Sequence, residues 1–383
     1  MATHLQSGAV ARFTCLGDAC EDTCCQGWGM QLAPENIRKY ELEAPELLAA
    51  VDGEVMKRDA QEVCVKLDKG WCGIHRDYGA AFLGDACYFF PRITRSVGGT
   101  VLTSAALSCP ESARLMLLQA DGFAWQPREA GRQPFSMRQY LPEGMAEEEA
   151  LALHQQWLAE AANPAHDAET NLLRISTVMQ ALALMPVTQW KAAAEFYFRM
   201  AAGRIPPAEA NAADPFNLVH ALHGLVAVSP QAKRPRLRAT IDSMVAMLGM
   251  TITGNTVELA PDAASRFLQM HQHWKEVAAA PLAPVLTRYL QAQVSIALFP
   301  FGGLGATYQE RMAIIGVRFA TVKLALMAAA MQARGPLAEP DTIRVVQSLS
   351  RFLDHLADPE LSLRIYHEAG WMREPRLRAL LVA

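Results

Sequence analysis

All eight cysteines of this chain lie between Cys15 and Cys109, and none follows in the rest of its 383 residues. They are Cys15, Cys20, Cys24, Cys25, Cys64, Cys72, Cys87 and Cys109, separated by four, three, zero, thirty-eight, seven, fourteen and twenty-one residues. Single free cysteines often serve as small buried hydrophobes, but that role predicts neither clustering nor the adjacent Cys24-Cys25 pair. Disulfides would suit an even count in an oxidising compartment. The amino terminus Met-Ala-Thr-His-Leu-Gln-Ser-Gly, however, lacks the basic and apolar regions of a secretory signal. The expectation is a cytoplasmic protein whose thiols stay reduced and bind metal.

A thiolate is a soft donor suited to zinc, copper(I) and iron–sulfur clusters, and four complete one site. Cys20, Cys24 and Cys25 can supply two or three donors from one turn, with Cys72 and Cys87 completing the sphere from a second segment. Eight thiols exceed the needs of one tetrahedral zinc or one cubane, so either two sites exist or some cysteines are bystanders. The intervals match neither paired zinc-finger spacing nor the bacterial ferredoxin run. They also miss the three-then-two spacing of the usual radical enzymes that use S-adenosylmethionine, because the third position falls on Gly27. The candidate metal ligands are Cys15, Cys20, Cys24, Cys25, Cys64, Cys72 and Cys87. Cys109 stands directly before a helix that starts at Pro110, whose amide end would favour a thiolate, so it is either a further ligand, a reactive thiol or a buried small residue.

The run Cys20-Glu-Asp-Thr-Cys-Cys-Gln-Gly-Trp28, then Cys72-Gly-Ile-His75, Cys87 with Phe90-Pro91-Arg92, and Ser108-Cys-Pro-Glu-Ser-Ala-Arg114 resembles the flagellin lysine-N-methylase family. Leu298-Phe-Pro-Phe301 and Ser350-Arg-Phe-Leu-Asp-His355 carry the same resemblance at the other end of the chain. The cysteine part alone is also similar to the broader zinc- or iron-chelating cysteine-cluster domains. The family resemblance implies a protein-lysine N-methyltransferase that moves methyl groups from S-adenosylmethionine to flagellin lysines, with a 4Fe-4S cluster held by the cysteines, or zinc in its place. The alternative is a metal-chelating or redox protein without methyl transfer. Phe90 departs from the family, which tends to have tyrosine before Pro-Arg.

The elements that must position these residues read as mainly α. Residues 1–120 form a cysteine-rich, loop-rich metal-binding region with short helices, 121–165 a connector rich in glycine and proline (Pro134 among them), and 166–383 a multi-helix domain. Helices are expected at Pro34–Tyr40, Pro110–Gln119, Glu147–Ala161, Asn171–Leu184, Trp190–Ala202, Phe216–Val228 and Pro284–Leu298. The clearest is Tyr308–Ala333, opened by the Thr307 and Glu310 capping box and closed by Gly335-Pro336. After it, Val345, Val346, Leu349, Phe352, Leu353 and Leu356 form an apolar stripe that leaves Arg351, Asp354 and His355 near or on the polar side. Thr251–Leu259, with Gly254-Asn255 near its centre, is a candidate hairpin.

Charge narrows the partners. The formal net charge is −4, and the first 109 residues carry all of it, with ten Lys and Arg against fourteen Asp and Glu. An acidic metal-binding segment lacks the basic excess that gripping nucleic acid requires. The run Lys233-Arg-Pro-Arg-Leu-Arg238 reads as a solvated turn. Tyr289–Gln309 is uncharged but broken by glutamines, Pro300 and glycines, so it reads as a buried helix ending in a loop rather than a membrane span.

No glycine-rich turn follows a strand, so S-adenosylmethionine would need a site other than a Rossmann-like sheet, between the cysteine segment and the helices. Methylation consumes the neutral amine, and deprotonating a lysine of pKa near 10.4 at pH 7 costs roughly 4 to 5 kcal/mol. Trp28, Trp71, Tyr88, Phe89 and Phe90 could build the desolvating pocket that offsets this, and Asp22, His75 and Asp85 are the local titratable groups. The candidate cofactor-binding residues are Trp28, His75 and Arg92; Arg92 could pair with the cofactor carboxylate or with an acidic side chain near the cluster, and His75 could instead ligate metal or hydrogen-bond a cluster sulfur. The pairs His220/His223 and His271/His273 have no cysteine partner and read as ordinary helix residues.

Overall fold

A computed structural model describes residues 3–132, 138–200, 213–228, 234–254, 256–356 and 358–382. Pro134, Lys233, Asn255 and the end of the Trp190–Ala202 prediction lie outside them. The protein is mainly helical, as composition and periodicity indicate. The expected helices form at Pro34–Glu43, Pro110–Leu117, Glu147–Ala161, Ala168–Leu182, Trp190–Met200, Asp214–Ala227, Ala279–Ala297 and Tyr308–Ala333. The last begins where Thr307 Oγ1 accepts the Glu310 amide at 3.2 Å and the Glu310 carboxylate accepts the Thr307 amide at 2.8 Å. Its side chains are apolar and buried almost all round, the mark of a central core helix. By length and hydropathy alone it could cross a membrane, but here it packs against Pro235–Met247, Glu339–Asp354 and Glu374–Val382. The candidate hairpin pairs Met250–Thr253 with Thr256–Leu259.

The first 120 residues hold more strand than expected. A five-stranded sheet runs in the order Trp125–Pro127, Thr3–Ser7, Thr100–Ala105, Arg92–Val97, Arg138–Gln139. Arg92–Val97 and Thr100–Ala105 form a hairpin closed at Val97 opposite Thr100, turning through Gly98 at φ +56°. Their β-branched residues around Gly98-Gly99 were the available signal. Thr3–Ser7 then joins in parallel, and Arg138–Gln139 brings part of the expected connector onto the other edge. The sheet is thus mixed, with two parallel and two antiparallel pairings.

Two apolar clusters organise the fold. The larger runs from Ala9 through Leu102 and Leu107 of the sheet region to Phe319, Phe352 and Leu381 of the helices. The smaller gathers Met30, Leu32, Tyr40, Leu47 and Ile74 around Cys25 and Cys64. Tyr40 is fully buried and its hydroxyl donates to the Phe82 carbonyl at 2.7 Å, which fixes Pro34–Glu43 against the segment leading to Cys87.

Candidate functional site

Local folding brings the cysteines to one place from four short stretches. Gly17, at φ +59°, turns the chain between Cys15 and Cys20, and a Cβ there would overlap the Trp71 ring. Cys72 and Cys109 stand at the N-caps of the helices Gly73–Tyr78 and Pro110–Leu117. Cys87 sits in the short helix Asp85–Phe89, just before the strand that starts at Arg92.

A cavity of about 360 Å³ opens at this point, and Cys15, Cys20, Cys24, Cys25, Cys72, Cys87 and Cys109 all line it. Six of the seven candidate ligands are therefore on one wall, joined by Cys109. Cys64 is not on that wall; it is buried in the small core behind, its amide donating to the Cys25 carbonyl at 2.8 Å. The candidate cofactor residues Trp28, His75 and Arg92 line the same cavity, with Tyr88 and Phe90. Trp71 instead packs on Gly17, and Phe89 is buried facing a neighbouring cavity.

The thiols fall into two neighbourhoods. Cys25 exchanges hydrogen bonds with Cys24 and Cys72, and Cys87 lies beside them. Cys109 and Cys15 gather with Cys20 in the other neighbourhood. The hydrogen bond with Cys24, with burial behind it, pushes the Cys25 thiol up to about 12. Burial pushes Cys109 up to about 12 and raises Cys87, while the hydrogen bond to Cys25 and burial raise Cys72. Working the other way, backbone amides two and three residues on donate to the sulfurs of Cys72 and Cys109, and one does so at Cys20 and at Cys64. Thiols crowded together out of water, with amides aimed at their sulfurs, form a donor set that a soft cation or an iron–sulfur cluster would satisfy. Among the described residues no three His, Cys, Asp or Glu side chains converge closely enough to hold a single ion.

The loop carrying Cys20, Cys24 and Cys25 is held from the helical region by two buried arginines. Arg351, 1% exposed, bonds the Asp22 carboxylate at 3.0 Å and the Gln26 carbonyl at 2.9 Å. Arg234 bonds Asp22 at 2.9 Å and reaches the same Gln26 carbonyl. Gln347 donates to Asp22 at 2.7 Å and to the Ser108 carbonyl at 3.0 Å, tying in the segment before Cys109. Burial, with the Arg351 charge next, pulls Arg234 down to about 10. Arg351 also lies over the Trp28 ring at 4.9 Å. Trp28 in turn meets Phe90 at 5.0 Å and His355 at 4.5 Å, edge to face.

Two expectations are corrected here. Arg351 is not on a polar helix face, and Arg234 is not in a solvated turn, because each spends its charge on the cysteine loop. A helical wheel sees charge as solvent-facing; only a distant acidic loop makes burial favourable. Of the titratable groups expected near the cysteines, Asp22 is held by the arginines and Asp85 by Arg132, while His75 lines the cavity. His273 bonds the Ala330 carbonyl, His271 stacks on Phe267, and His220 lines a separate pocket, so these histidines stay apart from the thiols.

Residues 191–360 match the family model for the FliB lysine N-methylase C-terminal domain. That span contains Arg234, Gln347, Arg351 and His355, the helical residues that reach the cysteine loop and its aromatic wall. Among curated proteins, the lysine-N-methylases of Salmonella typhimurium and Salmonella choleraesuis are each 28% identical over 155 residues, covering 37% of this chain and 39% of theirs. The flagellar biosynthetic protein FliU of Salmonella muenchen is 27% identical over 154 residues, 36% of this chain and 91% of that protein. The chain thus spans well under half the length of the lysine-N-methylases it matches. No solved structure matches it. The chain is therefore similar to the flagellin lysine N-methylase family, as its cysteine runs and carboxy-terminal motifs indicated.

Proposed function

We propose that this protein is a protein-lysine N-methyltransferase that acts on flagellin in the cytoplasm. The observation that carries the reading is that the loop bearing Cys20, Cys24 and Cys25 on the thiol-lined cavity is clamped by Arg234, Gln347 and Arg351, residues of the span matching the lysine N-methylase domain. In this reading four of the thiols among Cys15, Cys20, Cys24, Cys25, Cys72, Cys87 and Cys109 would hold a 4Fe-4S cluster, and Trp28, His75 and Arg92 would contact S-adenosylmethionine, which supplies the methyl group when bound.

The chain's own residues meet the demands of the reaction. Arg92 has no carboxylate partner among the described residues; its guanidinium faces the Phe13 ring at 5.2 Å and the cavity, available for a carboxylate. Trp28, Tyr88 and Phe90 present an apolar wall that excludes water from a lysine side chain and so lowers its pKa toward the neutral amine. Edge-to-face contacts with His355 and Phe90 hold the Trp28 ring in place.

The test is to supply anaerobically prepared protein with flagellin and S-adenosylmethionine and to measure intact flagellin mass. Whole-methyl increments on lysines are expected, and an unchanged mass would overturn the reading. A second reading, a metal-chelating or redox protein without methyl transfer, draws on the crowded thiols and on the lack of a Rossmann-type glycine-rich turn after a strand. It requires bound metal with no calorimetric binding of S-adenosylmethionine.

A further inference from the structure

A second cavity, of about 430 Å³, adjoins the cysteine cavity, and Phe90 and Arg92 face both. It forms where Asp85–Phe89, Arg92–Val97, Arg138–Gln139, the turn after Ala297, the first half of Tyr308–Ala333 and the end of Glu339–Asp354 meet. Its wall is unusually cationic for a chain of net charge −4. Arg92, Arg95, Arg138 and Arg311 line it, and among the described residues none of them pairs with a carboxylate. The two aspartates on the wall, Asp85 and Asp354, are engaged by Arg132 and Arg318.

These guanidiniums are positioned rather than merely exposed. Arg95 donates to the Ile296 carbonyl at 2.9 Å and to the Tyr140 hydroxyl at 3.3 Å. Arg311 donates to the carbonyls of Gly305 at 3.1 Å and Pro300 at 2.8 Å. Neutral oxygens orient a guanidinium without cancelling its charge, so a half-enclosed positive field remains. Burial lowers the pKa of both Arg92 and Arg95, the cost of charges held out of water without a counter-ion.

We propose that this second cavity binds an acidic side chain of the protein substrate, an aspartate or glutamate near the lysine that enters the cysteine cavity past Phe90. The inference rests on the methyltransferase reading above for the identity of the substrate. Four guanidiniums exceed what the single carboxylate of S-adenosylmethionine needs. Arg138 is exposed at the open side, where a polypeptide can continue into solvent. Binding a neighbouring side chain here orients the lysine while leaving the thiol wall to the cofactors.

The test uses the full-length protein and a short synthetic peptide with one lysine flanked by glutamates, compared by calorimetry with its glutamine counterpart. The glutamate peptide is expected to bind about tenfold more tightly, and the difference to shrink as salt rises. Arg138→Gln should remove most of that preference and Arg138→Lys should retain part of it, with affinity for S-adenosylmethionine alone unchanged in both. Equal binding of the two peptides to the wild-type protein overturns the inference. So does an Arg138→Gln variant that loses S-adenosylmethionine affinity and keeps the peptide preference, since the carboxylate would then be the cofactor's. Methylated flagellin without a glutamate preference overturns this inference alone. A glutamate preference without methyl transfer overturns the methyltransferase reading and leaves an acidic-peptide site.

Discussion

Replacing Asp22 with alanine should undock the cysteine loop from the helices. The Asp22 carboxylate accepts from Arg234 at 2.9 Å, Arg351 at 3.0 Å and Gln347 at 2.7 Å, and both arginines are at most 7% exposed. A pair of unit charges 4 Å apart is worth about 4 kcal/mol at intermediate screening before desolvation is subtracted. Removing the shared carboxylate also leaves two buried guanidiniums facing each other. The net loss on breaking a buried pair in this way is about 3 to 5 kcal/mol. The assay is denaturant unfolding together with hydrogen exchange of the amides from Cys20 to Trp28, in Asp22→Ala, Arg234→Leu and the double variant. Exchange in that loop should accelerate before the Tyr308–Ala333 core opens. The double variant should be less unstable than the sum of the singles by about 1 to 3 kcal/mol, because the second change removes one of the stranded charges. Stability of Asp22→Ala within about 1 kcal/mol of wild type, or strict additivity, would refute the clamp.

Three further outcomes follow from the geometry. Iron and sulfide content should fall in Cys72→Ser and Cys87→Ser, which are on the cavity wall, and persist in Cys64→Ala, behind it; equal losses in all three would mean that the wall does not define the ligand set. Gly17→Ala places a side chain against Trp71 at a positive φ, so it should destabilise the Cys15–Cys20 turn by about 1 to 3 kcal/mol and speed proteolysis there, with the rear helices intact; unchanged proteolysis would count against that packing. His154 is fully buried with Nδ1 on the Phe299 carbonyl at 3.0 Å, and burial pulls it down to about 4. The unfolded chain therefore takes up a proton near pH 6.5 that the folded chain refuses until about pH 4. Stability should be unaffected above 6.5 and decline by about 3 kcal/mol as pH falls through that window. Urea titrations across the range should show a flatter profile for His154→Asn, and parallel profiles would exclude the buried imidazole as the cause.

Much of the molecule was legible in the residue order alone. Apolar spacing, proline starts and the Thr307 capping box mark the helices to within a few residues, because helix formation depends on neighbours three and four apart. The confinement of every cysteine to the front of the chain pointed to the thiol wall, and the motifs around Cys24, Cys72 and Cys87 carried the family resemblance that the comparisons bear out. The sheet was less visible because its strands are two to six residues long and Thr3–Ser7 pairs with Thr100–Ala105 across most of the cysteine segment.

What the tertiary structure alone decided is which distant residues share a charge or a cavity. Arg351 and Arg234 read as surface residues because their local stretches are polar; only the arrival of Asp22 from more than two hundred residues away makes their burial favourable. Cys109 joins the cavity while Cys64 stands behind it, although both belong to the same clustered set, because Cys109 stands at the N-cap of Pro110–Leu117 on the cavity wall and the small core takes Cys64. The second cavity is likewise built by segments far apart in the chain with no shared motif, and its charge exists only as a sum over side chains that folding brings to one wall. Periodicity and spacing report forces between near neighbours, whereas long-range electrostatics and enclosure depend on where the whole chain has gone.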